Sequence, residues 1–167
     1  MALAQAAGIS KSAIIKALLQ FPGLDHRSQW VAEINGVHWI NDSKATNPGA
    51  TLAAIQGLDE PVILLAGGQS KGANMQPLCG TLGQHVRQVL IFGEDAEILQ
   101  QSWKDCTKVE TVPDLRQAVL RARRSSAAAS TDTVGRAESG SGVHASDSNS
   151  SVTAQAANTI ACLLYTS

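Results

Sequence analysis

Pro61-Val62-Ile63-Leu64-Leu65-Ala66 runs apolar without a break and stops at Gly67-Gly68. A run of this length reads as a strand, and with no polar residue on either side of the pleat it is expected to be buried on both faces. Such a strand needs cover above and below, which confines the chain to α/β architectures.

The flanking pattern agrees. Strands over 30–34 and 37–40 flank Asn35-Gly36, the strongest short hairpin signal because both turn positions need positive φ. Ser10 can cap a helix whose buried face would hold Ala13, Ile14, Leu18 and Phe21, and Pro22-Gly23 would stop it. Asn47 can cap a second helix with Pro48 at its first position, running through Leu52 and Ile55 to Gly57. A helix over about 75–84, a strand over 86–92, a helix over about 95–103 and a short strand over 108–111 follow. Pro113 opens a last helix with Leu115, Ala118, Val119 and Ala122 inward. A hairpin followed by strand–helix units predicts a Rossmann-like, mostly parallel sheet with helices on both faces. No further strand is readable after that helix, so the final strand is expected to be missing.

Composition shifts near Arg124. Residues 125–167 are dominated by Ser, Ala, Thr and Gly, with isolated Val and Ile that follow no period. Such a stretch buries too little apolar surface to offset its ordering entropy. It reads as a disordered or non-native tail. The formal net charge of −1 gives no footprint for nucleic acid or an anionic membrane. No apolar run approaches the roughly 18–20 residues of a membrane span, and the start lacks the basic and apolar segments of a signal peptide. Cys79, Cys106 and Cys162 are widely spaced and odd in number, which fits free thiols in a reducing cytoplasm.

The chemistry concentrates in Asn41-Asp42-Ser43-Lys44-Ala45-Thr46-Asn47, at a predicted strand–helix junction. Ligands of open α/β sheets sit beyond the carboxyl ends of the strands. Two loops leave such ends, 41–47 and 67–72, and each carries a lysine, Lys44 and Lys71. Two ammonium groups facing one crevice would hold carboxylates or phosphates. Ser43 and Thr46 add hydroxyls, and the helix starting at Pro48 adds free N–H groups. Asp42 could accept from a ribose or orient a lysine, and Arg27, beside His26, could contact a phosphate. These residues suit an anionic small molecule, with room in the chemistry for a nucleotide. Bland roles stay open: Lys44 as a solvated lysine, Gly67-Gly68 as a tight turn, His26 as a cap on a carbonyl. Neither Gly-x-x-x-x-Gly-Lys-Ser/Thr nor Gly-x-Gly-x-x-Gly occurs in the 67–72 loop.

Gly23-Leu24-Asp25-His26-Arg27, the run from Asn35 to Asn47, and Leu65-Ala66-Gly67-Gly68-Gln69-Ser70-Lys71 together resemble the D-glutamate-adding Mur ligases of bacterial peptidoglycan synthesis. The resemblance covers about residues 1–124. It implies three domains in the full enzyme: a UDP-substrate domain, a central ATPase domain and a Rossmann-like C-terminal domain. Residues 1–22 would be the tail of the central domain, 23–124 the C-terminal domain, and 125–167 a disordered or frameshifted tail. The implied substrates are ATP, D-glutamate and UDP-N-acetylmuramoyl-L-alanine, joined through an acyl phosphate by a monomeric, cytoplasmic bacterial enzyme. The implied contacts are Thr46 and Lys71 on the D-glutamate carboxylates, and Arg27 and Asp42 on the nucleotide. His26, Ser43, Lys44 and Asn47 would line the same crevice. The central P-loop, the Mg2+ ligands and the UDP domain of the family are not in this sequence, so the chain is expected to be inactive alone. A non-catalytic Rossmann-type binding domain and a functionless remnant are the competing readings. The family's closing segment is also absent. DNA encoding Asp147–Thr153 can read Leu-Glu-Gln-Phe-Arg-Asn in another frame, which resembles the family's Leu-Asp-Gln-Phe-Lys-Asn. This predicts frameshifted translation after about 124–134, with sequencing-adapter read-through in the last few residues.

Overall fold

A computed structural model describes residues 1–69, 72–132 and 158–165. Two short helices, α1 (Ala2–Ala6) and α2 (Lys11–Gln20), precede a hairpin of β1 (Gln29–Ile34) and β2 (Val37–Asn41). Then come α3 (Pro48–Gln56), β3 (Val62–Gly68), a 3-10 turn (Gln76–Leu78), α4 (Cys79–His85), β4 (Val86–Phe92), α5 (Ala96–Trp103), β5 (Lys108–Thr111), α6 (Leu115–Asp132) and β6 (Asn158–Tyr165).

The strands form one sheet in the order β1-β2-β6-β3-β4-β5. Only β1 and β2 are antiparallel; β2, β6, β3, β4 and β5 pair in parallel. The hairpin turn has Asn35 at φ 54° and Gly36 at φ 71°, the left-handed pair that a two-residue hairpin needs. Register slips between Trp30 and Ala32, so Val31 is an extra residue that bulges the edge strand.

The reading of β3 holds. Val62 to Gly67 are all buried, and alternate residues enter different cores. Val62, Leu64 and Ala66 join Ile55, Leu78, Leu82, Leu99 and Trp103 beneath α3, α4 and α5. Ile63 and Leu65 join Val37, Leu90, Phe92, Ala118 and Ala122 beneath α6. The fully buried Trp103 donates its indole N–H to the Met75 carbonyl at 3.0 Å, so its polar edge is satisfied.

Several expectations are corrected. The final strand is present: residues 158–165 pair with β2 on one side and β3 on the other. Without it, the facing edges of β2 and β3 would leave rows of backbone donors and acceptors unpaired. The apolar run Ile160-Ala161-Cys162-Leu163-Leu164 suits that slot. Likewise, α6 continues past Arg124 to Asp132, so parts of the expected disordered tail are regular elements; residues 133–157 lie outside the described residues. On α2, Ser10 caps as expected, accepting from Ala13 N–H at 3.3 Å, but only Ile14 is buried. Leu18 and Phe21 are 57% and 58% exposed, since nothing described packs on that face. On α6, Ala118 and Ala122 face the sheet, while Leu115 and Val119 are exposed. The small side chains of Ala118 and Ala122 let the helix lie close to β3 and β4. Finally, Cys79 and Cys106 are joined by a disulfide with Cα atoms 5.2 Å apart, not free thiols.

β3 ends at Gly68, and Gly67 just before it packs on Phe92, the last residue of β4. A Cβ there would strike the Phe92 ring, and a Cβ at Gly93 (φ 87°) would lie 2.8 Å from Gly68 N. Close approach therefore explains the Gly-Gly pair. Gly67→Ala is expected to destabilise the chain by about 1–3 kcal/mol through overpacking, read as a lowered urea midpoint at unchanged slope.

Candidate functional site

The site grows from the end of β2. Parallel pairing carries Asn41 to Cys162 and Cys162 to Leu65, so β2 stops at the level of Leu65, before β3 reaches its end at Gly68. The chain then crosses over the sheet edge through residues 42–47 and enters α3. Asn47 starts that helix: its side-chain oxygen accepts from Ala50 N–H at 2.9 Å, with Pro48 in the first turn. Thr51 adds a second tie, donating its hydroxyl to the Asn47 carbonyl at 3.1 Å.

The loop is bolted to the segment before β1. Lys44 N–H donates to the His26 carbonyl at 3.0 Å. Asn41 Nδ2 lies 2.9 Å from His26 Nδ1, while Asn41 Oδ1 accepts from Ser43 N–H at 3.1 Å. Ser28 Oγ donates to Asp42 Oδ2 at 3.3 Å. Both His26 (φ 63°) and Ser28 (φ 44°) hold left-handed backbone conformations, which are unfavourable for residues with a Cβ. The turn they make places Arg27 between them, over the loop.

A shallow pocket of about 310 Å³ results, lined by Arg27, Ser28, Asp42, Lys44, Ala45 and the α3 alanines Ala50, Ala53 and Ala54. Asp42 is 9% exposed at its base; Arg27 and Lys44 are exposed at its rim. Neither cation enters an ion pair among the described residues, whose pairs include His38 with Glu33 and Glu60, and Arg121 with Glu110. Two unpaired cations around one buried carboxylate and an apolar floor suit a ligand that has an anionic end and a hydroxylated, partly apolar body. The carboxylate is already engaged by Ser28. Among the described residues, no group of three or more His, Cys, Asp or Glu could hold a metal ion, and Asp42 alone does not build an octahedral Mg2+ shell.

Thus Arg27, Asp42 and Lys44 converge on one pocket. Ser43 is half-buried in the loop, and His26, Thr46 and Asn47 are exposed around it without lining the pocket. Lys71 lies outside the described residues. Sequence reasoning missed Ser28 and the alanine floor. The hydroxyl beside Arg27 and the alanines at helical spacing after Asn47 were the available signals.

Residues 26–136 match the family described as Mur ligase, glutamate ligase domain. The chain belongs to the Mur ligase family. Among curated proteins this Mur ligase chain is 49% identical over 120 residues to the UDP-N-acetylmuramoylalanine–D-glutamate ligase of Chromohalobacter salexigens, covering 70% of this chain and 26% of that protein. It is 45% identical over 126 residues to the enzyme of that name from Legionella pneumophila, covering 73% of this chain and 28% of the other. The chain thus spans about a quarter of the length of these relatives. Among solved structures, a bifunctional folylpolyglutamate synthase/dihydrofolate synthase from Yersinia pestis has the same fold, with TM-score 0.58 and 18% identity over 92% of this chain and 31% of that one. No helix among the described residues is long and apolar enough to cross a membrane.

The cap on α3 sets the geometry of the Mur ligase loop. Asn47→Ala is expected to lower stability by roughly 1 kcal/mol, and Asn47→Asp by much less, because only alanine removes the cap acceptor. Urea unfolding of the two variants checks this.

Proposed function

We propose that this chain is the D-glutamate-binding portion of an ATP-dependent ligase that adds D-glutamate to UDP-N-acetylmuramoyl-L-alanine in peptidoglycan synthesis. The observation that carries the reading is the pocket shared by Arg27, Asp42 and Lys44, in a chain 45–49% identical to ligases of that name. ATP would phosphorylate the muramoyl-alanine carboxylate. The amine of D-glutamate would attack the acyl phosphate, forming the amide and releasing phosphate. Cations gathered at the strand ends stabilise the negative charge that builds on the phosphoryl and tetrahedral oxygens.

Within this scheme Arg27 holds a nucleotide phosphate and Asp42 accepts a ribose hydroxyl from the pocket base. Lys44 lies beside the phosphates. Thr46 and Lys71 bind the D-glutamate carboxylates, while His26, Ser43 and Asn47, which do not line the Arg27–Asp42–Lys44 pocket, border the wider crevice at the strand ends. The Mg2+ ligands and the phosphate-binding loop belong to the central domain of the parent enzyme, a monomer of the bacterial cytoplasm whose product serves cell-wall growth and division.

Residues 1–22 then form the end of that central domain and 23–124 the C-terminal domain. The exposed apolar side chains of the first segment support this division. Leu3 is 89% and Leu19 83% exposed, a face that the hydrophobic effect would cover with further protein.

Calorimetry with ADP and with D-glutamate tests the reading. ADP is expected to bind this chain, and Arg27→Ala to weaken it about tenfold, or 1.4 kcal/mol, with D-glutamate binding retained. The unmodified chain, supplied with ATP, D-glutamate and the UDP substrate, is expected to show no turnover. ADP binding that ignores Arg27→Ala, or turnover by this chain alone, would contradict the assignment.

A further inference from the structure

We propose that Cys79 and Cys106 form a reversible redox link that anchors the α4 end of the β3–α4 connection, closing by exchange with a low-molecular-weight disulfide such as oxidised glutathione. Cys79 opens α4 and Cys106 sits in the turn between α5 and β5. The inference needs no ligand and stands apart from the ligase reading.

Non-covalent contacts already hold the two segments together. Trp103 donates to the Met75 carbonyl at 3.0 Å within the core. Thr107 Oγ1 donates to the Val86 carbonyl, at the end of α4, at 2.7 Å. A Cβ on Gly83 would lie 3.0 Å from the Cys106 carbonyl, so helix and turn touch at the backbone. The same contacts set the two segments side by side where the cysteines lie at a Cα separation of 5.2 Å, inside the range a disulfide spans. The reduced state is also accommodated: the Ser102 carbonyl lies 3.7 Å from Cys106 Sγ and can accept from a thiol. Both cysteines are only partly buried, so a small disulfide can reach them.

The chemistry balances as two exchanges. One protein thiolate attacks a sulfur of the small disulfide, forming a mixed disulfide and expelling one small thiolate. The second protein thiolate then attacks the protein sulfur of that mixed disulfide and expels the other. Two protein thiols lose two electrons, the small disulfide gains them, and the two thiol protons pass to the released thiolates. The consequence falls on residues 72–78. Their β3 side is fixed where Asp95 N–H donates to the Gly68 carbonyl at 3.2 Å. Oxidation adds a covalent tether at Cys79 to the Trp103 contact.

The test equilibrates the full chain across oxidised-to-reduced glutathione ratios, quenches with acid, alkylates and maps peptides by mass spectrometry. Hydrogen exchange is followed in parallel. A Cys79–Cys106 cross-linked peptide is expected to appear and disappear with the ratio. In the oxidised form, amides of residues 72–78 are expected to exchange about threefold or more slowly, and Cys79→Ser/Cys106→Ser to stay folded and indifferent to the ratio. Persistent thiols at every ratio, a cross-link through Cys162 instead, unchanged exchange over 72–78, or an unfolded double variant would each overturn the proposal.

Discussion

Everything in this chain hangs on β3 being buried on both faces and paired on both edges. A strand with no polar side chain from Val62 to Gly67 cannot lie at a surface without exposing apolar area, at roughly 25 cal/mol per Å². Its two faces therefore recruit two helix layers, α3–α5 on one side and α6 on the other. Its two edges recruit β4 and β6. Because those pairings and β2·β6 are parallel, β2 and β3 end on the same side of the sheet. The crevice at the strand ends is thus a by-product of how the core closes.

The 41–47 loop exploits that position through ties to the His26 carbonyl, His26 Nδ1, Ser28 and Ala50 N–H. These contacts join three separate pieces of chain: the turn before β1, the end of β2 and the start of α3. The loop backbone is thereby held while Arg27 and Lys44 stay exposed and, among the described residues, outside ion pairs. A preorganised loop backbone beside a buried carboxylate is a sound base for recognising a charged ligand, because only the Arg27 and Lys44 side chains remain to be ordered when it binds.

Much of this was legible in the sequence. The β3 run, the Asn-Gly hairpin, the Ser10 and Asn47 caps and the polar loop all signal themselves within a few residues, because pleat, turn and cap chemistry are local. What failed depended on partners elsewhere. The apolar face of α2 has the right period, yet Leu18 and Phe21 remain exposed because no described element covers them. Leu115 and Val119 lost the buried face of α6 to Ala118 and Ala122, since close helix–sheet approach favours small side chains. The Ser28–Asp42 contact spans 14 residues and the cysteine pair 27, separations that only the folded sheet brings together. The strand at 158–165 hid in a Ser- and Ala-rich tail. Its five-residue apolar run was the signal, and it matters only once β2 and β3 leave a gap.

The central claim is that the strand-end loop, clamped by His26 and Asn41, forms a nucleotide pocket with Arg27, Asp42 and Lys44. Amide chemical-shift mapping of this chain by NMR during titration with ADP tests it most directly. The account predicts shifts clustered at residues 27–28, 42–45 and 50–54. Shifts absent there, or gathered instead around the larger cavity of about 520 Å³ lined by Ile34, Trp39, Arg123 and Arg124, would contradict it.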